Sequence, residues 1–144
     1  MADPVILGTI APNVGATLLG NVAWSAGTTL YFGLSSTLPT YAGSNITEPS
    51  GNGYARVAVT NNQTNFPAWV AGSSETTETS AVAITFPTST GAWLAGASLA
   101  YLIAWSASTG GTPYACWTMS NPPVVTASGV TVTVPAADLT TNLA

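Results

Sequence analysis

Charged side chains are almost absent from this sequence, and this constrains its fold more than any other feature. Arg56 is the only basic residue among 144, five residues are acidic, and there is no histidine. Exposed helices depend largely on charged helix formers, whereas the β-branched residues that are abundant here favour strands. The sequence therefore predicts a β-rich chain with a surface of neutral Thr, Ser, Asn, Gly and Ala.

Short alternating segments between turn-forming residues indicate the strands. The clearest is 81–87, where Val82, Ile84 and Phe86 share one face. Residues 98–105 are apolar on both faces, which is typical of a central strand. We predict an all-β fold of seven to nine short antiparallel strands with long loops, arranged as a β-sandwich or a jelly-roll-like barrel. The predicted strands lie at 28–34, 54–60, 81–87, 98–105, 112–119 and 124–135, with others toward the two ends.

The remaining segments are predicted to be loops or terminal elements of one domain over residues 1–144. Residues 1–12 are interpreted as a short strand or as an extended N-terminal arm that packs on a neighbour. Residues 14–27 give a weak helix prediction because two glycines interrupt them. Residues 35–53 and 61–80 are predicted to be long loops, rich in turn-forming residues.

Most catalytic arrangements are excluded by composition. Without histidine or lysine, the Ser-His-Asp, Cys-His and Ser-Lys arrangements cannot form within one chain. Cys116 is the only cysteine, so neither an intrachain disulfide nor a Cys/His zinc site is possible, and we interpret it as a small apolar strand residue. We predict a protein that is not an enzyme and has no cofactor or metal.

Nucleic-acid and membrane partners are also not expected. A single arginine cannot neutralise the several phosphates that nucleic-acid binding requires. The longest apolar segment, 98–107, has half the length of about 20 residues that a spanning helix needs. A neutral surface does allow identical copies to lie side by side without strong repulsion, so a homo-oligomer or a many-copy assembly is expected.

Two acidic residues, Glu75 and Glu78, lie three apart in a polar stretch. As a pair they would suit a glycosidase or a calcium site. The alternative, which the lack of further carboxylates nearby favours, is a solvated loop that keeps negative charge on the surface.

Arg56 follows a turn-forming run that contains Glu48. We predict a structural salt bridge between Glu48 and Arg56 that pins the 35–53 loop onto the sheet. A second possibility is that Arg56 reaches a carboxylate of a partner chain.

Five tryptophans suggest sugar binding, since flat aromatic faces stack on sugars, but core and interface roles compete with it. Trp105 and Trp117 lie in apolar strands and are predicted to be core. Phe66, Trp69 and Trp93 lie in turn-rich stretches, and we predict that they anchor loops or contact another protein at an interface.

The order of several motifs resembles a family of small virion proteins of tailed bacteriophages. The members are often labelled phage tail fibre protein, and relatives serve as capsid decoration (cement) proteins. The most specific segments are Gly-Tyr-Ala-Arg at 53–56 and Ile-Thr-Phe-Pro at 84–87, followed by Trp93. Longer similar segments are 18–40, 48–59, 80–117 and 125–144. The resemblance implies a β-rich domain without enzymatic activity.

Two roles on the virion are consistent with these observations. The first is a capsid decoration protein that binds the major capsid protein lattice on the capsid surface and stabilises the head. It is preferred because the chain has neither stalk repeats nor a coiled-coil segment. The alternative is a receptor- or glycan-binding module associated with a tail fibre.

Overall fold

The computed structural model describes residues 5–73 and 75–143, and these form a β-rich domain with one helix. The strands are β1 (Val5–Ile6), β2 (Thr29–Ser35), β3 (Val57–Thr60), β4 (Val70–Ala71), β5 (Thr76–Thr79), β6 (Ile84–Thr85), β7 (Tyr101–Trp105), β8 (Pro113–Thr118), β9 (Thr133–Val134) and β10 (Thr140–Leu143). Helix α1 covers Ala11–Gly20, and a short 3-10 turn covers Leu94–Gly96. The all-β prediction is confirmed.

A five-stranded antiparallel sheet in the order β1-β8-β7-β2-β3 forms the centre of the domain. Its middle strands β2 and β7 pair Phe32 with Ala104 and Leu34 with Leu102. Because side chains alternate along a strand, these four residues lie on one face of the sheet. This face forms the main hydrophobic core.

The antiparallel pair β6-β9 covers that face and gives the domain its second layer. Ile84, Phe86, Val132 and Val134 are buried against the central sheet. The described strands form three antiparallel sheets and no closed barrel, so the sandwich alternative describes the fold.

The opposite face of the central sheet carries a smaller apolar cluster of Ile103, Trp105 and Cys116. Residues 36–56 pass over this side, and Ile46 packs against the cluster. This face also receives Glu48 and Arg56, the ion pair described below.

Part of the 61–80 segment is not loop, which corrects the prediction. It contains β4 and β5, and β5 pairs with both β4 and β10 in a third sheet. The sequence Thr-Thr-Glu-Thr in β5 has no hydrophobic alternation, and its partner β10 lies at the far end of the chain. β4 and β5 pair locally as a hairpin, whereas the pairing of β5 with β10 is long-range.

Of the two interpretations of the N-terminal segment, a short strand or an extended arm, the structure has the short strand at Val5–Ile6, which packs on its own domain. β1 pairs with β8, and Leu7 and Ile10 are buried. Residues 1–4 of the predicted arm lie outside the described residues. Helix α1 then begins at Ala11, three residues before the weakly predicted helix, with Pro12 in its first turn.

Candidate functional site

The Glu48–Arg56 ion pair lies where the 36–56 segment crosses the central sheet. Arg56 Nη2 donates to Glu48 Oε2 at 2.7 Å and Arg56 Nε donates to Glu48 Oε1 at 2.9 Å. The Arg56 side chain is 7% exposed and that of Glu48 is 19% exposed. The two-point geometry and the burial make this pair stronger than an ordinary surface salt bridge.

Arg56 also holds the loop between β7 and β8. Its Nη1 donates to the backbone carbonyl oxygens of Ala107 and Gly110 at 2.8 and 2.7 Å. Its guanidinium carbon lies 3.6 Å from the ring centroid of Trp105. Four of the five N–H groups of Arg56 are thus used within the chain, which leaves little of this side chain for a carboxylate of a partner.

Tyr54 and Gly33 complete the surroundings of Glu48. The Tyr54 hydroxyl donates to Glu48 Oε1 at 2.7 Å and accepts from the Leu34 backbone N–H at 2.8 Å. Burial, together with the negative charge of Glu48, raises the pKa of Tyr54 far above its ordinary range. Glu48 Oε1 occupies the place that a Cβ on Gly33 would take, so only glycine permits this approach. The cluster acts as a structural clamp.

Trp93 does not lie at an interface, because its side chain is only 1% exposed in the core. Its ring packs edge-on against Tyr54, and its Nε1 donates to the Asn52 carbonyl oxygen at 3.0 Å. The interface prediction for Trp93 is therefore corrected to an anchor of the 48–56 turn. The turn-rich surroundings of Trp93 in the sequence concealed this burial.

A pocket of about 490 Å³ opens beside the other two predicted aromatics. Phe66 is half-buried and Trp69 is 44% exposed, and both line it. We call this site the Trp69 pocket. Its lining comes from β2, the 61–69 loop, β5, β8, β10 and the residue before β10: Leu30, Phe32, Asn61, Asn62, Gln63, Phe66, Pro67, Ala68, Trp69, Glu78, Trp117, Leu139 and Thr141.

Two buried polar atoms belong to residues that line the Trp69 pocket and have no hydrogen-bond partner among the described residues. They are Glu78 Oε1 and Trp117 Nε1. Glu78 is 7% exposed, and burial raises the pKa of its carboxyl above the ordinary value of 4.5. A buried polar atom without a partner is costly and is rare in folded proteins.

The structure also corrects the interpretation of Glu75 and Glu78 as a solvated loop pair. Glu78 lies in β5 and is buried, whereas Glu75 is exposed. Side chains three apart along an extended chain point to opposite sides. The two carboxyls therefore do not form a site together.

Helix α1 and the residues after it carry an exposed apolar surface, which we call the α1 patch. It consists of Val14, Leu18, Leu19 and Val22, of which Leu18 and Leu19 are 79% and 89% exposed. None of the residues of α1 is buried. An apolar surface of this kind in one contiguous segment is typical of a contact with another molecule.

The described residues contain neither a metal-binding cluster nor a membrane-spanning helix. In residues 5–73 and 75–143, no three His, Cys, Asp or Glu side chains come together as a metal site would need. Among the helices of that part of the chain, none combines the length and the apolar character that crossing a bilayer requires.

The sequence comparison decides the family. Residues 9–142 match the family described as podophage GP4 fiber I protein gp80. The chain belongs to this family. The Gp80 match covers the Trp69 pocket and every strand of the central sheet except β1, and it identifies the protein as a bacteriophage virion structural protein. The resemblance to small phage virion proteins is thereby confirmed, including the tail-fibre label. No curated protein is significantly similar to the chain.

Sequence reasoning missed the polar members of the Trp69 pocket. The loop prediction for 61–80 includes Asn61, Asn62, Gln63 and Glu78 without assigning any of them to a pocket. The available signal was the β-branched run around Glu78, where Thr76, Thr77 and Thr79 favour a strand. A side chain in a strand lies on one of the two faces of the sheet, and the Glu78 side chain lies on the buried face.

Proposed function

We propose that this Gp80-family chain is a non-enzymatic fibre subunit that attaches to the virion through the α1 patch. The observation that carries the proposal is the exposure of Leu18 and Leu19 on a helix without a buried residue. The family description, a podophage fiber protein, agrees with a fibre location.

The energetics of α1 support a docked helix. Isolated helices shorter than about 12–15 residues are marginal in water, and α1 is shorter than this and contains Gly15. Burying one leucine side chain stabilises a contact by about 1.5–3 kcal/mol. Covering Leu18 and Leu19 would therefore supply several kcal/mol and would hold the helix in place.

The neutral surface suits many copies in one assembly. The ion pair found in the described residues is turned inward, with Arg56 7% exposed. Neighbouring copies then meet through Thr, Ser, Asn and apolar groups, and little charge has to be desolvated. Such a contact is insensitive to salt, because screening acts on charges.

A second candidate is the capsid decoration role, in which the chain binds the major capsid protein. The inward ion pair favours it as well, since a subunit that covers a shell in many copies benefits from weak mutual repulsion. Binding to the assembled lattice alone would stabilise the shell by mass action.

Labelled virions distinguish the two locations. The full-length chain with a small C-terminal tag, imaged by cryo-electron microscopy or immunogold labelling, should appear on fibres. Density spread over the capsid would establish the decoration role, and a chain found on neither structure would overturn both.

The attachment surface is tested with Leu19→Ser, with Leu38→Ser as the matched control. Leu38 is also exposed, at 52%, but lies outside the α1 patch. We expect Leu19→Ser to reduce incorporation into virions at least about tenfold, as the loss of roughly 1.4 kcal/mol or more would do, and Leu38→Ser to incorporate normally. Equal incorporation of both variants would show that α1 is not the attachment surface.

A further inference from the structure

We infer that the Trp69 pocket is a binding site for a neutral saccharide. This goes beyond attachment of the chain to the virion, because it assigns a ligand to a part of the surface that the α1 patch does not include. The inference combines one exposed indole, several side-chain amides and two buried polar atoms that lack partners.

The shape and size of the pocket suit a small ligand. Its volume of about 490 Å³ falls in the range of about 300–1,000 Å³ that is usual for small-molecule sites. Phe32, Phe66, Trp69 and Trp117 line it. Trp69 is 44% exposed, so part of its ring is open to an incoming molecule. Sugar rings present flat C–H faces, and these pack on an aromatic face while the hydroxyl groups stay at the edges.

Hydrogen-bonding groups lie around the same space. Gln63 makes no side-chain hydrogen bond within the described residues. Asn62 uses its Oδ1 to accept from the Thr64 and Asn65 backbone N–H groups, which leaves its Nδ2 group available. These amides can each donate and accept, as recognition of hydroxyl groups requires.

Glu78 and Trp117 provide the reason to expect an occupant. Glu78 is only 7% exposed, yet in the part of the chain that the structure describes neither its Oε1 nor Trp117 Nε1 has a hydrogen-bond partner. A hydroxyl group is both donor and acceptor, so neighbouring sugar hydroxyls can give a hydrogen to the carboxyl and take one from the indole N–H. A purely apolar ligand would leave both atoms unsatisfied.

A quaternary ammonium ligand is the main competitor, because aromatic rings with a carboxylate also bind such cations. It is less favoured here for two reasons. Its ammonium group has no lone pair to accept the hydrogen of Trp117 Nε1, and it makes no use of the Asn62 and Gln63 amides. The saccharide satisfies all of these groups.

The test uses the full chain and a panel of neutral sugars: glucose, galactose, rhamnose, N-acetylglucosamine and maltose, with choline as a separate arm. Saturation-transfer NMR reports contact between the protein and the ring C–H protons of the sugar, and calorimetry gives the dissociation constant. We expect at least one sugar to bind with a millimolar or lower constant.

Three variants locate the binding. Trp69→Ala should weaken it about tenfold or more, as loss of an aromatic contact of roughly 1.4 kcal/mol would do. Glu78→Gln should also weaken it, while Val70→Ala is the control. Val70 is 70% exposed and adjoins Trp69 but does not line the pocket.

The outcomes of the sugar-binding experiments test the saccharide inference independently of the proposed attachment through the α1 patch. If no sugar of the panel binds, if choline alone binds, or if binding is unchanged in both Trp69→Ala and Glu78→Gln, the saccharide inference is wrong. The virion images and the Leu19→Ser result do not depend on any of these outcomes.

Discussion

The guanidinium carbon of Arg56 lies 3.6 Å from the ring centroid of Trp105, while Nη2 of the same group lies 2.7 Å from Glu48 Oε2. The only basic side chain of the protein is thus held between a carboxylate and an aromatic face. In the same position it donates to the Ala107 and Gly110 carbonyl oxygens. One residue therefore fastens two loops to the central sheet.

Removing the charge of Glu48 should destabilise the fold more than loss of a surface ion pair would. In Glu48→Gln the Arg56 guanidinium stays in a mostly buried place without its counter-charge. We expect the free energy of unfolding to fall by about 3 kcal/mol, measured by urea denaturation. Loss of an exposed pair would cost only about 0–1 kcal/mol.

A double-mutant cycle provides the control for this prediction. Arg56→Met removes the cation, and combining it with Glu48→Gln removes both charges. Because the two residues are in contact, their effects should couple by about 1–3 kcal/mol. If the two losses simply add, the ion pair does not hold the loop.

Gly33 is predicted to be intolerant of even one added methyl group. A Cβ at this position meets the Glu48 carboxylate and lies 3.2 Å from Trp105 Nε1. Gly33→Ala should therefore lower the free energy of unfolding by about 1–3 kcal/mol.

Gly15 in helix α1 offers the opposite case, because no atom lies within 4 Å of a Cβ built there. Gly15→Ala should raise stability by about 0.5–1 kcal/mol, since alanine is the better helix former. Thermal unfolding of Gly33→Ala and of Gly15→Ala tests these two predictions. A neutral Gly33→Ala would contradict the close approach of Glu48.

Glu78 should make the protein less stable as the pH rises above the acidic range. Burial raises the pKa of Glu78 in the folded chain above 4.5, so the folded state binds the proton more tightly than the unfolded state. Its contribution to stability is therefore fully present below the ordinary pKa of 4.5 and is lost as the pH rises through the folded value.

Glu78→Gln should remove this pH-dependent loss of stability, because a glutamine side chain does not ionise. We expect the variant to be more stable than the unmodified chain at pH 7, by more than the roughly 0.5 kcal/mol of a typical surface change, and equal to it near pH 4. Glu75→Gln, at an exposed position of the same stretch, is the matched control and should stay within that limit. Identical pH profiles for the chain and Glu78→Gln would show that the carboxyl is not buried in solution.

The two tryptophans from turn-rich segments should respond differently to truncation. Trp93→Ala removes a side chain that is 1% exposed and breaks the hydrogen bond to Asn52, so it should cost about 3–5 kcal/mol. Trp69→Ala, at a 44% exposed position, should cost less than about 1.5 kcal/mol. Urea denaturation measures the free energy of unfolding of each variant. Similar losses in Trp93→Ala and Trp69→Ala would contradict the burial of Trp93 or the exposure of Trp69.

Several elements could be predicted because their cause is local. The alternation in 28–34 and in 81–87 places Leu30, Phe32, Leu34, Ile84 and Phe86 on inward faces, and the structure buries Phe32, Leu34, Ile84 and Phe86. The scarcity of charged residues left Glu48 as the nearest carboxyl to Arg56 along the chain, and the turn between them is short enough to bring them together.

Other features depend on distant parts of the chain. β5 exists because β10 pairs with it although the paired residues, from Thr79 with Thr140 to Thr76 with Leu143, are far apart in the sequence, and Glu78 is buried in this sheet. Trp93 and Trp69 occupy similar sequence surroundings, yet one is covered by Tyr54 and the turn around Asn52 while the other stays open. No local pattern separates the two tryptophans.

The sequence by itself determined a neutral β-rich chain with a single cation near Glu48, because residue composition and two-residue alternation act over short distances. Only the tertiary structure decided which polar side chains became buried, where the Trp69 pocket opens and that α1 remains uncovered. These features depend on which faces of distant segments meet, and no local sequence pattern specifies that pairing.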